Sequence, residues 1–190
     1  MKRVSLLAAA MMAATAGVAQ AGALDLGLNN DTFAMEYRQS QPNYLGFNLG
    51  WVHRTDTSKG DYPKGADLYS MGLNVTQQST QQLQVSLGAK AIYLDYDNGG
   101  DGALALGGSF RYGLPGNERV GIGGRLYFAP RVTSFSEMQN YLETGIRLDY
   151  LVMIRQAAVY VGYRNVTVDY KTVKNVEFDN DVHVGMELLF

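Results

Sequence analysis

Cysteine is absent from the 190 residues of the sequence, which excludes disulfides, thiolate metal ligands, a cysteine nucleophile and a lipid-modified amino terminus. Histidine is nearly as scarce. Only His53 and His183 occur, and they fall in different predicted strands, which makes a poor metal site. We therefore expect neither a metal nor any other cofactor.

The chain also lacks a long apolar run and an excess of basic residues. Beyond residue 21 the best apolar run is residues 150–154, far short of the roughly 20 residues of a membrane helix. The 16 basic residues include Lys2 and Arg3 of a predicted leader; without these two, 14 basic and 18 acidic residues give −4. That balance gives no electrostatic case for nucleic acid. If this chain crosses a membrane, it must do so as strands.

The first 21 residues have the pattern of a signal peptide. Lys2 and Arg3 precede an apolar stretch over residues 4–18, and Ala19-Gln20-Ala21 is a small-residue cleavage site. The stretch is too short and too rich in alanine for a membrane anchor. We expect a signal peptide at 1–21 and one exported domain at 22–190.

Apolar residues alternate with small or polar residues in blocks of about ten, separated by turn chemistry. A soluble sandwich also alternates, but its solvated face has no reason to be rich in glycine. Here the second face consists of Gly, Ser, Asn and long charged residues, a mixture suited to the interior of a small barrel. The predicted fold is all-β: a transmembrane antiparallel up-and-down β-barrel.

Connection lengths set the strand number and the orientation. Short links at 39–43, 76–82, 115–118 and 153–157 alternate with longer ones at 55–66, 97–102, 130–140 and 169–181. Short periplasmic turns and longer external loops are typical of outer-membrane barrels. Two shorter candidates around Asn29-Asn30-Asp31 bring the count to ten strands; eight remains the alternative if that hairpin is a plug.

Aromatic residues support this orientation independently. They fall on the lipid-facing side at both ends of the predicted strands, where amphipathic rings are expected. The two predicted girdles are Trp51, Tyr69, Tyr93, Phe128 and Tyr163 outside, and Tyr37, Tyr112, Tyr150 and Phe190 on the periplasmic side.

The last residues alternate strictly and end on an aromatic ring, as in the terminal strand of outer-membrane proteins. In that class this segment is the signal read by the barrel-assembly machinery, and here it comprises Val184, Met186, Leu188 and Phe190. With the leader, the small size and the loop pattern, this ending resembles the YfaZ-type family of small outer-membrane proteins. The resemblance implies a bacterial outer-membrane location and carries over no catalytic residue.

Charged residues on the inward face form the candidate site. They would either fill the lumen as ion pairs, which a narrow interior favours, or line a pore that selects anions. The set is Glu36, Lys90, Arg111, Arg125, Glu143, Arg147, Asp149, Arg164 and Glu187.

The expected function is non-enzymatic: surface interaction through exposed loops, or envelope integrity. The expected partners are outer-membrane lipids, lipopolysaccharide, the assembly machinery and an extracellular ligand. A narrow porin-like solute channel is the first alternative. A lipid-modifying enzyme is the second, because His183 lies beside Asp181, and His53 lies near Asp56 and Ser58.

The final hairpin is predicted to project above the membrane. The apolar parity of its first strand changes after Tyr163, which indicates a bulge or the end of the lipid-facing stretch. Residues 164–170 and 176–182 are expected to pair and to present an apolar stripe, including Val176 and Phe178, to the outside.

Replacing Phe190 with Ser should lower the amount of assembled protein more than His183→Ser, because only Phe190 belongs to the terminal signal. Immunoblots of outer membranes, with and without boiling, measure assembly because folded barrels resist detergent until heated. Equal levels of the two variants would contradict the assignment of the signal.

Overall fold

A computed structural model describes residues 22–39, 44–55, 65–80, 82–96, 99–117, 119–153 and 156–190. The predicted signal peptide lies outside these residues. Almost all of the described chain is strand, as the alternation predicts, and no helix in it is long and apolar enough to cross a membrane. The strands are β1 Gly22–Leu28, β2 Thr32–Gln39, β3 Leu45–Arg54, β4 Asp67–Gln78, β5 Leu83–Tyr96, β6 Gly99–Gly113, β7 Val120–Ala129, β8 Ser134–Phe135, β9 Met138–Met153, β10 Ala157–Tyr170 and β11 Val176–Leu189.

Ten strands form a closed wall in which every neighbouring pair is antiparallel. The wall closes where β1 pairs with β11, from Ala23 opposite Leu189 to Leu28 opposite Val184. The first hairpin is therefore part of the barrel, and the ten-strand prediction is confirmed over the eight-strand alternative. The two-residue β8 lies outside this ring and pairs with β6 above the end of β7.

We call the end that carries Gly22 and Phe190 the terminal end, and the opposite end the loop end. At the terminal end the backbone of Gly22 and that of Phe190 exchange two hydrogen bonds of 2.6 and 3.0 Å. At the loop end several strands extend further than the sequence predicts. The predicted 97–102 link shortens because β5 and β6 pair as far as Tyr96 and Gly99, and β10 and β11 leave only residues 171–175 between them.

Most large apolar side chains of the wall point outward. This outward set forms the band that faces lipid in a membrane barrel. Its most exposed members include Leu45, Met71, Leu73, Val75, Leu87, Leu104, Leu106, Leu126, Phe128, Ile146, Leu148, Tyr150, Val161, Tyr163, Val182, Val184 and Met186. Tyr37 departs from the girdle prediction, because its ring is buried between Phe47 and Phe190 at centroid distances of 5.7 and 6.3 Å.

The inward face changes chemistry along the barrel axis. In β10 the outward apolar residues end at Tyr163, and Val166 and Val168 then point inward and are 3% and 1% exposed. The register between β9 and β10 runs without a shift through this region, so β10 has no bulge there. The change of parity marks the end of the lipid-facing stretch.

The bulge lies on β11 instead. Val166 pairs with Asp179 and Thr167 with Glu177, so Phe178 is an extra residue and both Phe178 and Asp179 are buried. The ordered pairing predicted for this hairpin is confirmed. The predicted outward apolar stripe is wrong, because the bulge turns Val176 and Phe178 into the barrel.

Polar contacts stabilise the bulge and the tip above it. The Arg54 guanidinium donates from Nη1 to the carbonyl oxygens of Glu177 and Phe178, at 2.9 and 2.5 Å. At the tip the backbone N–H of Asn175 and the side-chain amide of Asn140 donate to Asp169. These hydrogen bonds hold the pKa of the Asp169 carboxyl below its ordinary value.

Leu106→Arg should destabilise the barrel by about 2–4 kcal/mol, because it places a charge against the middle of the lipid layer. Leu45→Arg is the matched control: both leucines point outward, 63% and 69% exposed, but Leu45 begins its strand and should cost about 0–1 kcal/mol. Reversible urea unfolding in lipid vesicles measures both. Equal losses would contradict the depth and face assignments.

Candidate functional site

The lumen holds the charged residues in two connected groups, one above the other. The lower network, nearest the terminal end, comprises Asp25, Arg38, Arg111, Arg147, Asp149 and Glu187. The middle network comprises Glu36, Lys90, Arg125 and Glu143. Alternation places these side chains inward, and most of the ion pairs join strands that are not neighbours in the wall.

Arg147 is the centre of the lower network. Its two terminal nitrogens donate separately to Asp25, at 2.8 Å, and to Glu187, at 2.6 Å. Arg38 donates to Glu187 from the opposite side at 2.6 Å. The hydroxyl of Tyr160 donates to Asp25 at 2.5 Å, so this buried carboxylate has several donors.

The pair between Arg111 and Asp149 spans β7. Arg111 donates from Nε and Nη2 to Asp149, whose side chain is only 1% exposed. Gly121 lies between them: a Cβ atom there would be 2.7 Å from Arg111 Nη2 and 2.8 Å from Asp149 Oδ2. Glycine at this position makes room for the ion pair, as the sequence pattern predicts for the inward face.

In the middle network the pair of Lys90 and Glu143 is less exposed than the pair of Arg125 and Glu36. Lys90 donates to Glu143 at 2.6 Å, and both side chains are nearly buried, at 6% and 7% exposure. Tyr141 also donates to Glu143, at 2.9 Å, and Lys90 lies 4.0 Å from the centre of the Tyr127 ring. Arg125 joins Glu143 to Glu36, with a 3.0 Å bond to the latter.

Above the middle network most inward side chains are apolar, although Arg54, Asp101, Arg164 and Asp179 are also buried in this half of the lumen. We call the buried apolar residues the apolar core; it contains Ala66, Leu68, Ile92, Leu94, Ala103, Ala105, Tyr127, Ala129, Met138, Tyr141, Val166, Val168, Val176 and Phe178. Leu94, Met138, Tyr141 and Phe178 are at most 1% exposed. Side chains from seven strands meet here, so the loop-end half of the lumen is packed like the interior of a soluble barrel.

A cavity of about 880 Å³ adjoins both networks and reaches the apolar core. Its polar walls include Arg38, Arg111 and Arg125, and its apolar limit includes Tyr141 and Phe178. Gly22, Ala23, Gln84 and Phe190 also line the cavity, so it extends to the terminal end of the barrel.

The structure places eight of the nine predicted charges in the two networks and Arg164 above them. Arg164 pairs with Asp179 and donates to the Thr32 hydroxyl at 3.1 Å, next to the short hairpin of β1 and β2. Sequence reasoning did not include Asp25 and Arg38. The same alternation could have identified them, since Asp25 separates Leu24 from Leu26 and Arg38 follows Glu36 by two residues.

The two histidines lie in different environments. His53 lies on the outward face and shares the carboxylate of Asp67 with Trp51, each at 2.8 Å. His183 faces the lumen, 5.6 Å from the Tyr160 ring, with a buried Nδ1 that has no partner among the described residues. Asp56 and Ser58, the expected neighbours of His53, lie outside the described residues. No group of acidic and histidine residues that could hold a metal ion occurs in the described part of the chain.

The closed wall, the outward apolar band and the polar lumen define an outer-membrane-type β-barrel. A solved structure described as the NanC porin in a rhombohedral crystal form has a similar fold. The TM-score is 0.50 with 10% sequence identity, and the match covers 90% of this chain and 99% of that chain. No curated protein sequence matches. The family model described as YfaZ precursor matches residues 1–190, so the chain belongs to that family.

Lys90→Met should lower the free energy of unfolding by about 3–5 kcal/mol, because it leaves the buried Glu143 carboxylate with only a 3.5 Å contact to Arg125 among the cations. The double variant Lys90→Met, Glu143→Gln should recover most of that loss, since the uncompensated charge is gone. Urea unfolding of the single and double variants measures the interaction free energy between Lys90 and Glu143.

Lys171→Met is the matched control. Its pair with Glu137 is exposed, at 49% and 61%, and should contribute about 0–1 kcal/mol. Additive effects of Lys90→Met and Glu143→Gln would mean that the buried pair does not stabilise the lumen.

Proposed function

We propose that this protein is a non-enzymatic outer-membrane barrel that does not conduct solutes and that acts through the surface at its loop end. The observation that carries the proposal is the apolar core. Met138, Tyr141 and Phe178, each at most 1% exposed, occupy the loop-end half of the lumen where a channel would need a polar path.

Orientation follows from the connections. The chain termini belong at the periplasmic side, and the two longest connections, residues 55–66 and 130–137, belong outside. In this orientation the apolar core closes the outer half of the lumen, and the two charged networks lie below it toward the periplasm. Export by the predicted signal peptide and insertion by the barrel-assembly machinery are part of this proposal.

The loop end offers a surface for contact. Between β7 and β9 the chain forms a short turn of 3₁₀ helix, Arg131–Thr133, and then β8. Val132 and Phe135 are 88% and 62% exposed, and Phe135 lies on the outward face beside Gly102 of β6. Apolar side chains on the lipid side of this rim fit contact with outer-membrane lipids and lipopolysaccharide, and the neighbouring tip at 171–175 fits contact with an extracellular ligand.

A lipid-modifying activity has less support. Asp67 could orient His53 as a general base, but among the described residues His53 hydrogen-bonds only this carboxylate, and Asp67 is shared with Trp51. His183 has no serine or carboxylate partner in the described part of the chain. A channel has one supporting observation, the cavity in the terminal-end half.

Single-channel recording in planar bilayers separates the closed barrel from the channel. The refolded mature protein should give no discrete conductance steps, while a known porin refolded in the same way serves as the positive control. Heat-dependent gel migration verifies that the inserted protein is folded. Reproducible steps from the folded species would overturn the proposal, and reduced steps in Ala105→Leu would then assign the path to the apolar core.

Gly107 is unsuitable for such a blocking substitution. A Cβ atom there would lie 2.0 Å from the carbonyl oxygen of Leu126 and 2.7 Å from the Cα of Tyr127. This glycine is required by the close approach of β6 and β7, so its replacement would disturb the wall rather than the lumen alone.

A further inference from the structure

We propose that the cavity binds one small anionic solute, a carboxylate or a phosphate, through the guanidinium groups of Arg38, Arg111 and Arg125. The proposal goes beyond the closed barrel described above. The binding site does not depend on the proposed closure of the loop end, but the route by which the solute reaches the cavity does.

The first observation is that these three arginines have unused donors. Arg38 uses only Nη2 and Arg125 only Nη1 in hydrogen bonds to the described residues, and Arg111 uses Nε and Nη2. The remaining N–H groups include Nε and Nη1 of Arg38, Nε and Nη2 of Arg125, and Nη1 of Arg111. All three side chains line the cavity.

The second observation is an asymmetry of exposure within the ion pairs. Arg111 is 32% exposed and its partner Asp149 1%; Arg38 is 26% exposed and its partners Asp25 and Glu187 are 8% and 11%. Arg125, at 25%, covers Glu143, at 7%, although its other partner Glu36 is 21% exposed. Carboxylates also line the cavity, namely those of Asp25, Glu36, Glu143 and Glu187, but each is less exposed than the guanidinium group that it binds.

The third observation concerns spacing. Glu36 and Arg38 are two residues apart on the inward face of β2, about 7 Å along the strand. Arg125 contacts Glu36, so Arg125 and Arg38 lie beside each other along this wall. Arg111 connects to the same network through Asp149 and Arg147. A solute with two acid groups could thus contact two of the guanidinium groups at once, and the cavity volume is in the range of small-molecule sites.

Neither network carries a net charge that would favour anions over cations. The lower network has three basic and three acidic residues, and the middle network has two of each. Selectivity must therefore come from which groups reach the cavity. Each guanidinium is already fixed by a carboxylate, so little side-chain freedom is lost when a ligand binds.

Isothermal titration of the refolded mature barrel in an uncharged detergent tests the proposal. The probes are succinate and inorganic phosphate, with the dication putrescine as the control ligand. We expect saturable binding of one succinate or one phosphate per barrel and no binding of putrescine. Succinate and phosphate together distinguish a carboxylate site from a phosphate site, and binding of either one supports the proposal.

The test variant is Arg125→Gln with Glu36→Gln, which removes two opposite charges and leaves no unpaired partner from that contact. It should weaken binding at least about tenfold, the effect of losing one charge-assisted hydrogen bond. The control is Lys171→Met with Glu137→Gln, which also removes one opposite pair but lies outside the cavity lining, and its affinity should stay within about twofold of the wild type.

Absence of saturable binding of both anions to the folded wild type would overturn the proposal. Equal loss of affinity in the two double variants would also overturn it, because the binding would then not depend on the cavity-facing arginine. Conductance is measured separately, so an anion site in a conducting barrel would contradict the proposed closure while leaving the site intact.

Discussion

The pairing of charged side chains across the lumen is the constraint on which the rest of the structure depends. The interior of a ten-strand barrel is narrow, and an unpaired charge there costs several kcal/mol. Arg147 and Glu143 satisfy this constraint by contacting partners on other strands. The pair between Arg111 and Asp149 likewise requires glycine at Gly121, where a side chain would occupy the space of the ion pair.

The face of the wall that carries the apolar residues differs between the lipid-facing part of the barrel and its loop end. Within the lipid band apolar residues point out and charges point in, whereas toward the loop end Val166, Val168 and Phe178 point in. On β11 a β-bulge turns Phe178 inward without breaking the wall, and Arg54 binds the carbonyl groups of Glu177 and Phe178. The lumen therefore holds a polar cavity in its terminal-end half and a packed apolar core in its loop-end half, an arrangement that favours binding over passage.

The sequence predicts the class and strand number well because lipid on one side enforces strict alternation. It predicts the lumen residues where the strand is long, as for Arg111 and Arg147. It does not identify Asp25 and Arg38, although Glu36 of the same hairpin is predicted and the same alternation places both residues inward. It also places Phe178 on the wrong face, because a bulge changes parity without any change in the apolar spacing, and only the pairing with Val166 and Thr167 reveals it.

The central claim is that the terminal-end half of the lumen is polar and accessible to solvent, whereas the loop-end half is packed and closed. Because the chain has no cysteine, single cysteines can test it with a small charged thiol reagent applied to the protein in nanodiscs. Ser109 and Ala105 lie four residues apart on the inward face of β6; Ser109 lines the cavity and Ala105 is 0% exposed. Ser109→Cys should react readily and Ala105→Cys should react only after denaturation, whereas rapid modification of Ala105→Cys in the folded barrel would contradict the account.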